Sequence, residues 1–125
     1  MTEATPSTVA GKRVLIVEDD HLLAFTLKHM LEDLDCIAVG PAAKVKDAFA
    51  IAEKETFDIA ILDVNLLGES IYPFAKHLYD LKQPFVFSTG MPLHAANGLF
   101  QDVPVLAKPF SLADLQRTIA ARLGR

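Results

Sequence analysis

The chain has 125 residues, 51% of them hydrophobic, which is the size and composition of one domain with a single conventional core. Twelve Lys and Arg against sixteen Asp and Glu give a net charge of −4, so the electrostatic footprint of a protein that neutralises a phosphate backbone is missing and direct nucleic-acid binding is disfavoured. The opening stretch MTEATPSTVAGKR holds no apolar signal core, and no run approaches the roughly 18 apolar residues of a membrane span, so a cytoplasmic protein without membrane attachment is expected.

Residues 1–11 mix Thr, Ser, Pro, Ala and Gly without periodicity and are expected to be a disordered lead, with one folded domain over 12–125. Val14-Leu15-Ile16-Val17 is apolar at every position, the pattern of a strand covered on both faces, and Ile59 to Leu62 and Phe85 to Phe87 repeat it. Cys36 to Val39 and Val103 to Leu106 are further strand candidates, and Pro104 places the latter at a sheet edge. Cys36, the only cysteine, cannot form an internal disulfide and reads as a small buried hydrophobe. Between the strands, apolar residues at helical spacing predict helices over 20–34, 44–54, 70–81 and from Ser111 onward, with Asp20 and Ser111 as N-caps and Asp114 three residues after Ser111. A short helix is expected over 92–100 between Pro92 and Asn97-Gly98. Strict alternation of strand and helix predicts an α/β fold: a doubly wound parallel sheet of five strands, with right-handed crossovers and helices on both faces.

In such a sheet, ligands collect beyond the carboxyl ends of the strands. The residues there are Glu18, Asp19 and Asp20; Asp63 and Asn65; Ser88, Thr89 and Gly90; and Lys108-Pro109. Carboxylates crowded at one edge repel one another, and a hard divalent cation with oxygen ligands relieves that; Mg2+ is the natural choice, because it binds through one or two carboxylates plus phosphate oxygens. A carboxylate can take a phosphoryl group as a nucleophile. Lys108 would then neutralise charge on the group in transfer, the Thr89 hydroxyl would donate to one of its oxygens, and Gly90 would leave room beside it.

Taken together, Val14 to Asp20, Ile61-Leu62-Asp63-Val64-Asn65-Leu66, Ser88-Thr89-Gly90 and Lys108-Pro109-Phe110 closely resemble the motifs of two-component response-regulator receiver domains. The resemblance runs from Arg13 to the C-terminus and implies the flavodoxin-like strand order 2-1-3-4-5. It further implies that Asp63 is the phosphoacceptor, that Asp19, Asp63 and the Asn65 backbone carbonyl ligate Mg2+, and that Glu18 acts through a metal-bound water. Phosphoryl binding would fall to Thr89, Gly90 and Lys108. Partners would be a sensor histidine kinase or histidine phosphotransfer protein and an unidentified downstream protein, with the chain a monomer or weak homodimer. The receiver would catalyse only its own phosphorylation and dephosphorylation, and the last predicted helix leaves no stretch for an output domain.

Some positions depart from the usual receiver pattern. Leu67 and Ile71 stand where a proline and often a glycine follow the phosphoacceptor, and Val105 holds the switch position, three before the lysine, where an aromatic is usual. Val105 is too short and stiff to make the usual swing, so another element is expected to carry the signal, namely Met91 to Gln101 with Leu93, Leu99 and Phe100. With Pro84 to Gly90 and Gly68 to Pro73, these departures resemble a subgroup of stand-alone receivers with a Phe-Ala-Thr-Gly-like signature, found with HWE-type kinases. Two alternatives compete: a degenerate receiver that binds partners without phosphorylation, and a haloacid-dehalogenase-like phosphatase, which needs an Asp acid-base where this chain has Asn65. Phosphotransfer through His21, His29, His77 or His94 is disfavoured, because a phosphotransfer histidine belongs on a helical bundle.

Overall fold

The computed structural model describes residues 8–90, 100 and 102–124. Among these residues, nine elements run in the order β1 (Arg13–Val17), α1 (His21–Asp33), β2 (Ile37–Ala42), α2 (Val45–Lys54), β3 (Ile59–Asp63), α3 (Tyr72–Asp80), β4 (Phe85–Thr89), β5 (Val105–Ala107) and α4 (Leu112–Leu123). The sheet order is β2-β1-β3-β4-β5 and every pairing is parallel, the expected doubly wound arrangement.

Both faces of the sheet are covered, which is why its central strands are apolar throughout. Successive residues of a strand point to opposite faces, and the core divides accordingly. Leu15, Val17, Ala60, Leu62, Phe85 and Phe87 pack against Ala48 of α2 and Phe74, Ala75 and Leu78 of α3. Val14, Ile16, Ile59, Ile61 and Val86 pack against Leu27 and Leu31 of α1 and Leu115 and Ile119 of α4. Truncating one of the large buried side chains, such as Phe87 or Leu31, to Ala costs roughly 3–5 kcal/mol.

Local chemistry sets the element ends. Asp20 caps α1, its carboxylate accepting from the Leu22 and Leu23 amides, and Ser111 with Asp114 forms a reciprocal capping box on α4. α2 has no side-chain cap of its own; Glu69 Oε1, from the loop after β3, accepts from the Val45 amide instead. β2 continues past Val39 to Ala42, through Gly40 at φ +89, where a Cβ would sit 3.0 Å from the Ala42 nitrogen and 3.2 Å from the Ile16 oxygen. That extension lets the Ala42 carbonyl accept from the Glu18 amide at 2.9 Å, fixing the chain where β1 ends. β5 begins at Val105, two residues later than expected, at the sheet edge just after Pro104.

Val9 and Gly11, within the expected disordered lead, contact the rest of the fold. Val9 is buried between Leu34 and Cys36, the Cys36 thiol donates to the Val9 carbonyl, and the Gly11 amide donates to the Asp35 carbonyl. A lone Val has no periodicity to reveal it, yet its apolar surface suffices to seal the amino end of this core face. Cys36 is the buried small hydrophobe anticipated, its thiol pushed up to about 11 by burial. The helix expected over 92–100 and the stretch 91–101 expected to carry the signal lie outside the described residues apart from Phe100. Phe100 is buried against Phe85, Phe87, Tyr72 and Tyr79. Among the described residues no helix is long and apolar enough to cross a membrane.

Candidate functional site

Glu18, Asp63, Ser88 and Thr89 are the buried polar side chains among the described residues, and each sits where a parallel strand ends. Asp63 is the last residue of β3, paired with Ser88, and is 3% exposed. Its Oδ1 accepts from the Asn65 amide at 3.1 Å and from Lys108 Nζ at 3.3 Å. Glu18, 6% exposed, accepts from Lys108 Nζ at 2.9 Å through Oε1 and from the Asp20 amide through Oε2. Lys108 is placed by its own backbone: its amide donates to the Thr89 carbonyl at 2.9 Å, tying the residue after β5 to the end of β4.

Burial pushes the Glu18 carboxyl up to about 7; the hydrogen bond from Lys108 opposes that rise and the neighbouring Asp63 adds to it. Burial alone would lower the Lys108 ammonium, but its bond to Glu18 and the charges of Asp63 and Glu18 outweigh burial and hold it above its ordinary value. Oxygens of Glu18, Asp19 and Asp63 all lie within 4.8 Å of one another. One ammonium faces these three carboxylates in a largely buried cleft, so negative charge is in excess there. The donor set is all hard oxygen and its atoms converge on one place, so these residues fit a single Mg2+ ion.

Thr89 is 1% exposed, and its Oγ1 accepts from Asn65 Nδ2 at 3.1 Å. Asn65 thus acts twice, its amide on Asp63 and its side chain on Thr89, and as a carboxamide it offers no acid at the position a haloacid-dehalogenase-like phosphatase requires. Gly90 follows β4, and a Cβ there would meet no atom of the described residues within 4 Å. Val105 is half-buried in β5 opposite Phe87 and packs on the α2/α3 face. Asp20 is a helix cap, as read from the sequence. One contributor was not visible in the residue pattern: Asp19 Oδ2 accepts from the backbone amide of Leu67 at 2.9 Å.

Comparison with known proteins agrees with this geometry. The family model described as response regulator receiver domain matches residues 14–120. The sensory transduction protein LytT of Bacillus subtilis is 32% identical over 114 residues, 86% of this chain and 46% of its own; the chain spans about half the length of the curated relatives it matches. The solution structure of SdrG from Sphingomonas melonis is 41% identical, with a TM-score of 0.79 over 90% of this chain and 96% of that one. A second SdrG structure, in the BeF3-activated conformation, aligns with a TM-score of 0.78 over 91% of this chain and 98% of that one. The receiver domain of the Erythrobacter litoralis PhyR response regulator aligns at 26% identity with a TM-score of 0.76, covering 92% of both chains. Receiver domains are signalling modules of two-component systems, and this chain belongs to the response-regulator receiver family.

Proposed function

We propose that the chain accepts a phosphoryl group on Asp63 from a phosphohistidine of a sensor kinase or histidine phosphotransfer protein, in a Mg2+-dependent reaction, and passes the signal on by a phosphorylation-dependent protein contact or drains phosphoryl groups from its kinase. The observation that carries this is the buried Asp63 carboxylate at the end of β3, with Lys108 and two further carboxylates around it. The likeness to a relative that has a BeF3-activated conformation supports the same reading.

Asp19, Asp63 and the Asn65 carbonyl would hold Mg2+ directly, with Glu18 acting through a water. When bound, the ion supplies positive charge to the oxygens of the group in transfer. The work of the chain itself is positioning and electrostatics. Asp63 Oδ1 is held by the Asn65 amide and Lys108, and the other oxygen would attack phosphorus. The new O–P bond forms as the histidine P–N bond breaks and the imidazole nitrogen keeps the bonding pair. Lys108, already salt-bridged to Asp63, neutralises charge on the phosphoryl oxygens, and the Thr89 hydroxyl donates to one of them. Gly90 would leave room beside that oxygen.

Pairing with an HWE-type kinase belongs to this proposal and rests on the Pro84 to Gly90 motif, as do action in the cytoplasm and a monomeric or weakly dimeric state on the family likeness. Incubation with acetyl phosphate and Mg2+, followed by intact mass measurement, tests the central step. One phosphoryl adduct is expected, stable to acid and lost in alkali or hydroxylamine; an unmodified mass, or an adduct that resists hydroxylamine, would overturn the reading.

A further inference from the structure

The loop after β3 is anchored on both sides. Leu66 is buried in the core, and Glu69 reaches across to the Val45 amide at the start of α2. Between them the chain makes a turn in which the Glu69 amide donates to the Leu66 carbonyl, with Gly68 at φ +72 in its third position. A positive φ at that position is the mark of a type II turn, which asks for glycine there and imposes no side chain on the residue before it. That residue is Leu67, whose side chain is 87% exposed and adds almost nothing to packing. Its amide, however, donates to Asp19 Oδ2 at 2.9 Å, across a sequence separation of 48 residues. Among the described residues no side chain is hydrogen-bonded to the Asp19 carboxylate.

We propose that Leu67 is a positioning residue of the metal site, acting through its backbone hydrogen rather than its side chain. Resting on the reading that these carboxylates take Mg2+, this bond deepens it. One Asp19 oxygen is fixed by a donor that the turn holds in place, and the remaining lone pairs are presented to the cation. A carboxylate that would otherwise sample several rotamers is thereby ordered before the ion arrives, held by a charge-assisted hydrogen bond. The loop that follows the phosphoacceptor and the carboxylate that follows β1 are thus one unit.

Turn chemistry supplies a clean test. Proline suits the second position of this turn but has no amide hydrogen, whereas alanine keeps the hydrogen and removes the side chain. In the full chain, Mg2+ titrations followed by amide chemical shifts should give Leu67→Ala the native affinity and Leu67→Pro an affinity weaker by about tenfold, the scale of losing an outer-shell partner. In an Asp19→Asn background, Leu67→Pro should cause no further loss. Native affinity in Leu67→Pro would overturn the proposal, and so would equal weakening in Leu67→Ala, which would place the effect in the side chain. A measurement on the native sequence without metal guards against misfolding of the proline variant: the residue 67 amide should be protected from hydrogen exchange, and that protection should vanish in Asp19→Ala. Fast exchange in the unsubstituted chain would overturn the proposal, whereas a chain that binds no Mg2+ at all would overturn the metal reading beneath it.

Discussion

The strands β1 and β3 carry a cluster of charges at each end, and the two differ in kind. At the amino end the Asp58 carboxylate accepts from the Arg13 amide at 2.7 Å, and Arg13 Nη2 lies 3.1 Å from Glu55 Oε1 with both side chains a third to a half exposed. At the carboxyl end, Glu18 and Asp63 are almost fully buried, and one ammonium bridges these two of the three clustered carboxylates. Counting acidic residues does not separate the two ends. What separates them is desolvation together with uncompensated charge: water screens the first cluster, while the second has a standing deficit of positive charge that a cation can fill.

Substitutions break this comparison in a graded way. The largest effect is expected at Asp63, where Asp63→Asn should abolish the hydroxylamine-labile adduct formed with acetyl phosphate; label that persists on this variant, or resides on histidine, contradicts the assignment. Next comes Asp19→Ala, which should lose Mg2+-dependent phosphorylation, with Glu18→Gln milder because its role is indirect; equal Mg2+ affinity in the native chain and Asp19→Ala would rule this out. Lys108→Ala and Thr89→Ala should keep the fold and Mg2+ binding yet lose most of the spectral response to beryllofluoride, since both groups would contact the oxygens of the transferred group. A full native response in both variants would contradict their roles. The smallest effect belongs to the amino end: Arg13→Ala should change stability by about 0.5 kcal/mol or less through its exposed ion pair, with adduct formation unchanged, and a loss of several kcal/mol in a denaturation curve would show that the two ends are not so different.

Most of the fold could be read from the residues, and the reasons are physical. Central strands apolar at every position announce two covered faces, and Asp20 and Ser111 mark helix starts because their side chains replace missing backbone partners. Burial of Val9 and the continuation of β2 through Gly40 were not readable, since both depend on what lies across space: the exposed edge of the α1/α4 core in one case, the Ile16 carbonyl in the other. The site divides along the same line. Side chains proposed to carry the chemistry, such as Asp63, Thr89 and Lys108, announce themselves by type and place after a strand, whereas the Leu67 amide is a donor that every residue except proline possesses and no residue pattern can flag.

The contrast between the two ends is tested most directly by titrating the metal-free chain with Mg2+ while following every assignable backbone amide. Shifts are expected to concentrate at residues 18–20, 63–67, 89–90 and 108, to saturate as a single site, and to disappear in Asp19→Ala. Shifts centred instead on Arg13, Glu55 and Asp58, or spread evenly over the acidic surface without saturation, would show that buried excess charge at the carboxyl end is not what makes the site.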